Sequence, residues 1–385
     1  MKNRIDELVD KLAAQKINDL TACIGFDGYI DEIFRVVRFR KNQTESVMFR
    51  TIAEFSDFLG AAAGKSSDIE IVPQGLRIGG NAPIMANALA ELGIRTYCIG
   101  AMGRESIQPV FGEISANCIP ISVEEPGYTH AFEFSDGKIM FGQLESLHNI
   151  NWNTIKEHVG LSELIRFFSE SRVIGIVNWS ALYQMDSILN GILNEVLPKV
   201  DPEIVKTKWI FVDIADPSRR KREDILGLMD TLGRFSQDLH VVLGLNEKEA
   251  RFVYHSINPD STGGEDIVQV RDGIFNNVNI HTLVIHLLNS AAVVDHDRTF
   301  ETPNFYIQNP KISTGGGDNF NAGFCLGILL GLPLEQTIIA ANATAAFYVA
   351  NGYSPDFLEL VEFLKFHRDS FQKLIVDFNK GAYIE

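Results

Sequence analysis

The sequence lacks clustered cysteines or histidines and long apolar runs. Its four cysteines and nine histidines are scattered, with no CxxC pair, no metal-ligand spacing and no recognisable Ser/His/Asp or Cys/His set. Dispersed cysteines within apolar stretches are typical of reduced, buried thiols in a cytosolic protein. No apolar run reaches membrane-spanning length, and residues 1–6 open a charged amphipathic helix instead of an apolar signal peptide. These absences predict a soluble, cytoplasmic protein.

Basic residues are outnumbered by acidic ones. The chain has 34 Lys and Arg against 50 Asp and Glu, a formal net charge of −16, and a pI near 5.0. Such a chain is a poor candidate for binding nucleic acid or an anionic membrane surface, so we expect neither as a partner. Anionic small molecules are not excluded, because clustered backbone N–H groups and a metal ion can offset the overall field.

Short apolar strands alternate with helical patterns along most of the 385 residues, 45% of which are hydrophobic. The predicted buried strands lie at residues 22–26, 96–100, 173–177, 209–212, 241–244 and 283–285. Their spacing predicts βαβ units, a mainly parallel sheet and a large core. Because no repeat, low-complexity tract or clear linker interrupts the chain, we expect a single α/β domain over residues 1–385.

Two strand-rich segments do not fit that alternation. Residues 33–50 alternate basic and apolar side chains, as in a strand with one wet face. Residues 120–143 contain a predicted β-hairpin with a turn at Asp136 and Gly137. We therefore expect these two segments to form a small β lid that projects from the main domain.

The most informative stretch runs from Ile312 to Gly323. Gly315, Gly316 and Gly317 precede Asp318, and an apolar helical segment follows. Glycines let backbone N–H groups approach an anion, and a helix start adds unpaired donors and a positive dipole end. Asp318 would then lie beside a bound phosphate, ready to take a proton from a hydroxyl. A tight turn alone would also explain the glycines, but the combination predicts phosphoryl transfer.

Two more motifs are predicted at strand ends, where ligands bind in open α/β sheets. Gly79 and Gly80 precede Asn81 and an alanine-rich helix, which suits either close approach to a substrate or an ordinary helix cap. Asp27 and Asp31 follow the first strand. Either could hold a sugar diol through two hydrogen bonds, or be only a turn residue.

Asn246 and Glu249 follow the strand at 241–244. Their spacing is that of a capping box. The alternative interpretation places both side chains near a hydrated Mg²⁺ that bridges phosphates.

Charged residues after the strand at 209–212 are open to two interpretations. Asp213 or Asp216 could orient substrate or metal, with Arg219 facing phosphate, but a surface Asp-Pro-Ser turn is favoured. His286 lies inside a predicted buried strand, and we expect a satisfied core histidine.

Taken in order, these motifs resemble the ribokinase-like (phosphofructokinase-B) carbohydrate kinase family over residues 22–355. Residues 313–323 look like the family's D-T-x-G-A-G-D-x-F signature, and residues 79–93 look like its glycine-pair signature. Residues 246–249 match its N-x-x-E motif, and residues 334–352 resemble the segment that lines the purine site.

The resemblance implies a three-layer α/β sandwich with a β lid, and a sugar kinase that uses ATP and Mg²⁺. It makes Asp318 the general base and gives the anion hole to the N–H groups of Gly315, Gly316 and Gly317. The remaining implied site residues are Asp31, Gly80 and Asn81 for the sugar, Asn246, Thr314 and Asn342 for the nucleotide, and Asn246 with Glu249 for Mg²⁺ through water. A monovalent cation and a homodimer paired through lid strands are also compatible with it.

Three departures from the family pattern keep the donor and substrate open. Ser313 replaces the usual first Asp, Ile84 replaces a substrate-contacting Asn, and residues 286–288 replace the usual T-x-G at the nucleotide site. Residues 25–31, 84–87 and His286 lean toward the ADP-dependent branch, whereas residues 313–320 favour ATP. The alternatives are therefore an ADP-dependent sugar kinase, a nucleoside kinase, or a sugar-binding regulatory protein on the same scaffold.

Overall fold

The structure is a computed structural model and describes residues 4–15, 17, 19–312 and 314–379. The strands in this part of the chain are β1 (Thr21–Gly25), β2 (Tyr29–Arg40), β3 (Ser46–Met48), β4 (Ile71–Gly79), β5 (Arg95–Ala101), β6 (Cys118–Glu124), β7 (Gly127–Phe134), β8 (Gly137–Gln143), β9 (Val173–Ile176), β10 (Trp209–Asp213), β11 (His240–Asn246), β12 (Thr282–His286), β13 (Ser290–Asp295) and β14 (Thr299–Pro303).

The α-helices among the described residues are α1 (Arg4–Ala13), α2 (Ile52–Ala61), α3 (Asn81–Glu91), α4 (Trp152–Val159), α5 (Leu161–Glu170), α6 (Met185–Gly191), α7 (Pro202–Val205), α8 (Arg222–Phe235), α9 (Glu247–Ile257), α10 (Ile267–Asn277), α11 (Gly316–Leu329), α12 (Leu334–Asn351) and α13 (Phe357–Asn379). Within these residues, no helix is long and apolar enough to cross a bilayer.

The described residues form a large nine-stranded sheet in the order β14-β13-β12-β11-β10-β9-β1-β5-β6. Strands from β12 to β6 in that order are parallel, and β13 and β14 add an antiparallel edge. The predicted α/β fold with a mainly parallel sheet is confirmed. The chain leaves β1 toward β5 and β6 on one side and continues through β9 to β12 on the other, so the strand order reverses at β1.

Helices cover both faces of the large sheet, which makes three layers. On one face, α1, α3, α11, α12 and α13 supply a core that includes Leu8, Leu89 and Phe324. On the other face, α4 to α6 and α8 to α10 supply a second core that includes Trp179 and Phe235. The parallel strands are nearly continuous in apolar residues because both of their faces are buried.

A small sheet is built around the long strand β2. This strand pairs with β4 and, near its end, with β3 in antiparallel fashion, and with β7 in parallel, while β7 and β8 form a hairpin. The Asp136–Gly137 turn of the predicted hairpin is present, with Phe134 opposite Gly137. One face of the small sheet packs on α2 through Phe55 and Phe132.

The composition of the small sheet differs from the sequence-based expectation in two places. Residues 118–124 form β6 and pair with β5 in the large sheet, so the second segment of the small sheet begins at Gly127. Residues 71–79 form β4, which the sequence did not mark, because Pro73 and Gly75 interrupt its apolar residues. That the small sheet acts as a lid stays a prediction.

Candidate active site

The polar residues of the candidate site lie beyond the carboxyl ends of the parallel strands. Open α/β sheets bind ligands at this edge, where the strand order reverses. Asp27 follows β1, Asn178 follows β9, Asp213 ends β10 and Asn246 ends β11. The glycine run lies at the start of α11, which packs on α3 and α12.

The glycine turn and the start of α11 form a set of backbone donors. Gly315 caps the helix with φ +87°, and the Asn319 backbone N–H donates to its carbonyl at 3.0 Å. The N–H groups of Gly316, Gly317 and Asp318 come before this first helical bond and have no acceptor within the helix. They therefore form, with the helix dipole, a place for an anion.

Gly315 is required at its position for two reasons. Its φ lies in the left-handed region that side chains disfavour. A Cβ there would also lie 2.8 Å from the hydroxyl oxygen of Tyr348, which donates to the Thr314 carbonyl at 3.1 Å. Tyr348 on α12 thus holds the turn from behind.

Asp318 lies in the first turn of α11 and is 7% exposed. The amide nitrogen Nδ2 of Asn81 donates to its Oδ1 at 2.8 Å. Burial raises the pKa of Asp318 well above the usual carboxyl range, the charges of Asp213, Asp27 and Glu249 add to that rise, and the Asn81 bond opposes it. A carboxylate with this environment is a stronger base than an ordinary aspartate.

Asp27 anchors the start of α3. Its carboxylate is fully buried and accepts from the backbone N–H groups of Asn81 and Ala82 at 3.0 and 2.7 Å, and from Asn178 Nδ2 at 2.6 Å. Burial is the main reason that its pKa rises to about 6. Since every contact is internal, Asp27 positions Asn81, and it does not offer a free carboxylate to a ligand.

Asp31 lies on β2, between β4 and β7, and is 8% exposed. Burial raises its pKa, while a hydrogen bond from the Thr129 hydroxyl and the charges of Lys138 and Arg77 lower it. Gly79 makes room for it, because a Cβ there would lie 2.5 Å from Asp31 Oδ1. The structure thus brings Asp31 beside the glycine pair, next to Gly80 at the cap of α3.

Asn246 and Glu249 form the predicted capping box. Asn246 Oδ1 accepts from the Glu249 backbone N–H, and Glu249 accepts from both the backbone N–H and the side-chain amide of Asn246. Glu249 is nonetheless buried, and burial together with the Asp213 charge raises its pKa to about 8. A nearby cation would relieve this pair of carboxylates.

The residues after β10 separate into a buried and an exposed group. Asp213 is buried, accepts from Asn321 Nδ2 at 2.8 Å, and lies before the predicted Asp-Pro-Ser surface turn. Asp216 is a surface turn residue that accepts from the Ser218 backbone N–H and from Lys248. Arg219 is exposed.

His286 lies at the site and not in the remote core. A Cβ on Gly317 would lie 3.7 Å from its Cε1, and its ring is 5.1 Å from that of Phe320. Burial lowers its pKa to about 4, so it is neutral near pH 7. The sequence predicted a histidine in the core, with its hydrogen bonds made inside the protein. A strand pattern does not show that the residue lies at the end of the strand that faces the site.

The two other predicted nucleotide residues are Thr314, just before α11, and Asn342, within α12. Thr314 precedes the glycine turn and receives the Tyr348 bond. Asn342 is buried on α12, and its Nδ2 donates to the Pro303 carbonyl at 3.4 Å. It lies six residues before Tyr348, or about 9 Å along the helix. Ser313 and its departure from the family pattern lie outside the described residues.

Sequence reasoning missed three residues of the site: Tyr348, Asn178 and Asn321. Asn178 has φ +56°, and an asparagine directly after a strand is a recognisable left-handed turn signal. Asn321 follows Asp318 by three residues, so the helical period could have placed it on a neighbouring face. Nothing in the local sequence marks Tyr348.

The comparison with known families decides the identity of this arrangement. The sequence profile described as prokaryotic ketohexokinase matches residues 2–367. The chain belongs to the prokaryotic ketohexokinase family. It is 25% identical over 361 residues to the ketohexokinase of Haloferax volcanii, covering 93% of this chain and 94% of that protein.

Solved structures share the fold of this family member. Adenosine kinase from Sinorhizobium meliloti superposes with a TM-score of 0.62 at 14% identity, covering 90% of this chain and 99% of that one. Ribokinase from Arabidopsis thaliana, complexed with ribose and ATP, gives 0.62 at 15% identity, with coverage of 90% and 99%. Such identities show the fold alone. With the family assignment, the predicted carbohydrate kinase of the ribokinase-like fold is confirmed.

Proposed function

We propose that this enzyme transfers the terminal phosphate of ATP to a hydroxyl of a ketohexose. The observation that carries the proposal is the buried carboxylate of Asp318, in the first turn of a helix whose first N–H groups have no acceptor within the helix. A base and an anion site are thereby adjacent. The acceptor sugar follows from family membership and from the name of the Haloferax relative.

In the proposed reaction the sugar hydroxyl lies between Asp318 and the terminal phosphate. Asp318 takes the hydroxyl proton as the oxygen attacks phosphorus. The N–H groups of Gly315, Gly316 and Gly317 stabilise the negative charge of the transferring group. Asn81 keeps the Asp318 carboxylate oriented through its 2.8 Å bond. General-base assistance of this kind contributes about 10²–10⁴-fold to the rate.

We propose that Asp31, Gly80 and Asn81 bind the sugar. Asp31 is buried beside the glycine pair, and a carboxylate can accept from two neighbouring hydroxyls. The Asn81 amide nitrogen carries two N–H groups, so it can donate to a sugar oxygen while it donates to Asp318, which would couple sugar binding to the base.

The donor set suits a hydrated Mg²⁺ better than a directly bound one. Among the described residues, no group of three or more His, Cys, Asp or Glu side chains is arranged to hold a metal. Glu249 is buried, accepts from the Asn246 amide, and has a raised pKa. Its oxygens would hold metal-bound water. When bound, Mg²⁺ would neutralise negative charge on the phosphates.

We infer that Thr314, Asn246 and Asn342 lie along the nucleotide site. Thr314 flanks the glycine turn, Asn246 ends β11, and Asn342 lies on α12. ATP is the proposed donor, because it is the nucleotide in the ribokinase complex of the same fold. A monovalent cation is a further proposed cofactor. A cytoplasmic location agrees with an ATP-dependent reaction and with the four buried free cysteines in the described residues.

The small sheet is the proposed lid, because Asp31 belongs to it while Asp318 belongs to the main body. Its closure would exclude water from the phosphate. Exposed apolar side chains on it, among them Phe39, Leu76 and Phe141, support a homodimer paired through this sheet. Light scattering after gel filtration would show a mass near twice 42.9 kDa, and a monomer at assay concentration would refute the pairing.

A panel of acceptors tests the function. Ketohexoses, aldohexoses, pentoses and nucleosides are each assayed with ATP and with ADP as donor, and Asp318→Asn serves as the inactive control. We expect turnover with ketohexoses and ATP. Turnover only with ADP would overturn the donor, turnover only with nucleosides would overturn the acceptor, and sugar binding by calorimetry without turnover would overturn the reaction.

A further inference from the structure

The candidate site holds more acidic than basic side chains. Asp27, Asp31, Asp213, Glu249 and Asp318 are all buried there, and burial is the first cause of each raised pKa. Those that are ionised repel a polyphosphate unless cations face it. Hydrated Mg²⁺ beside Glu249 would supply charge from the main body. The opposite side of the transferring phosphate, toward the small sheet, needs a cation of its own.

Arg77 is placed on that side by strand register. It lies on β4, directly opposite Asp31 in the antiparallel pair with β2. Paired residues on adjacent strands project from the same face of a sheet, so Arg77 and Asp31 share one face. Arg77 is also two residues before Gly79, and its side chain is exposed.

The charge of Arg77 reaches both halves of the site. It lowers the pKa of Asp31 on the small sheet, and it likewise acts on Tyr348 on α12. The Tyr348 hydroxyl is the group that touches the glycine turn, 3.1 Å from the Thr314 carbonyl oxygen. Arg77 therefore lies within electrostatic reach of both Asp31 and the tyrosine that holds the glycine turn.

Arg77 has no protein partner to occupy it. Among the described residues it makes no hydrogen bond or ion pair, although the Asp31 carboxylate and the Tyr348 hydroxyl are within electrostatic reach. By contrast, Arg40 of the same sheet is paired with Glu70 through several bonds. A guanidinium offers a planar fork of donors that matches a phosphate.

We propose that Arg77 binds the terminal phosphate of the nucleotide from the side of the small sheet during transfer. The inference rests on the proposed kinase reaction. In that step the bond between the sugar oxygen and the terminal phosphorus forms, and the bond from that phosphorus to the bridging oxygen breaks. The hydroxyl proton goes to Asp318, the nucleoside diphosphate leaves with the electron pair, and Arg77 takes no part in the proton transfer.

Steady-state kinetics of Arg77→Gln test the catalytic part. We expect kcat to fall about 10²-fold, the typical loss when one donor to a transition-state anion is removed, while the sugar Kd from calorimetry stays within about 2-fold. Arg77→Lys should recover part of the loss. The matched control is Arg35→Gln, an exposed arginine of β2 that also lacks a partner within the described chain, and it should keep wild-type kcat. An unchanged kcat in Arg77→Gln, or an equal loss in the control, overturns the proposal.

A binding measurement separates this inference from the proposed function. The affinity of the non-hydrolysable β,γ-imido analogue of ATP should fall at least about 10-fold in Arg77→Gln, or 1.4 kcal/mol as converted at 25 °C. ADP lacks the terminal phosphate, so its affinity should be retained. Equal losses for both nucleotides refute Arg77 binding. A wild-type protein with no sugar-dependent turnover, but with this selective loss in the variant, refutes the proposed reaction alone. Circular dichroism checks folding, and Arg77→Lys replaces any variant that does not fold.

Discussion

Asn81→Ala removes the amide that donates to Asp318 at 2.8 Å and leaves the buried carboxylate without that bond. Hydrogen bonds to charged groups contribute about 1.5–3 kcal/mol. Loss of the bond should therefore raise the pKa of Asp318 further, and about 1.4 kcal/mol corresponds to one pH unit in an activity profile that depends on it. The bond favours the ionised form, so its loss shifts the equilibrium toward the protonated acid.

Asp318 must be ionised to accept the hydroxyl proton. The acidic limb of kcat/KM against pH should therefore move to higher pH by about 1–2 units in Asn81→Ala, so that activity lost at neutral pH partly returns at alkaline pH. Initial rates across the pH range, at saturating ATP, measure the limb. With ATP saturating, kcat/KM for the sugar reports the pKa in the enzyme–ATP complex before the sugar binds.

The control is Asn87→Ala on the same helix. Asn87 Oδ1 accepts from the Ser115 backbone N–H at 2.9 Å, so this variant also loses a buried amide contact but leaves Asp318 untouched. Its acidic limb should coincide with that of the wild type. A limb that does not move in Asn81→Ala, or a rate that falls by one factor at all pH values, would refute the role assigned to the Asn81 bond.

Three further predictions follow from the buried carboxylates and the glycine turn. Asp318→Asn should lower kcat by at least about 10²-fold yet raise Tm, because it removes a buried charge that its neighbours repel. The free energy of unfolding should fall as pH rises from the ordinary carboxyl range through about 6 and about 8, where Asp27 and Glu249 titrate in the folded protein; urea unfolding at several pH values measures it. Gly315→Ala should reduce kcat and stability together, since φ +87° and the Tyr348 hydroxyl both oppose a Cβ.

Each has a control and a contradicting result. An unchanged or lower Tm in Asp318→Asn would contradict the strain assigned to its burial. For the pH dependence the sign is set because raised pKa values let the folded state hold protons that the unfolded state releases; Glu249→Gln should flatten the upper part, and a stability that rises with pH would contradict it. Gly331→Ala separates conformation from contact, because Gly331 has φ +65° with open space around it; equal effects at both glycines would exclude the Tyr348 contact.

Local signals predicted much of the fold and the centre of the site. The strands at 173–176 and 209–213, the helix at 81–91 and the hairpin turn at Asp136 followed from apolar periodicity and turn chemistry. The capping box of Asn246 and Glu249 was likewise readable, because it depends on residues three apart. Strand β4 was not predicted, since Pro73 and Gly75 interrupt its apolar residues.

The sequence by itself determined the alternating α/β elements and the glycine turn that precedes Asp318, because both depend on neighbouring residues. Tertiary structure alone decided which polar groups meet. It joined Asn81 to Asp318 across 237 residues, made Asp27 an internal anchor and Asp31 a neighbour of Gly79, and brought Tyr348 against the turn. Strand register and helix packing set these contacts, and they depend on pairings between distant segments that no local pattern encodes.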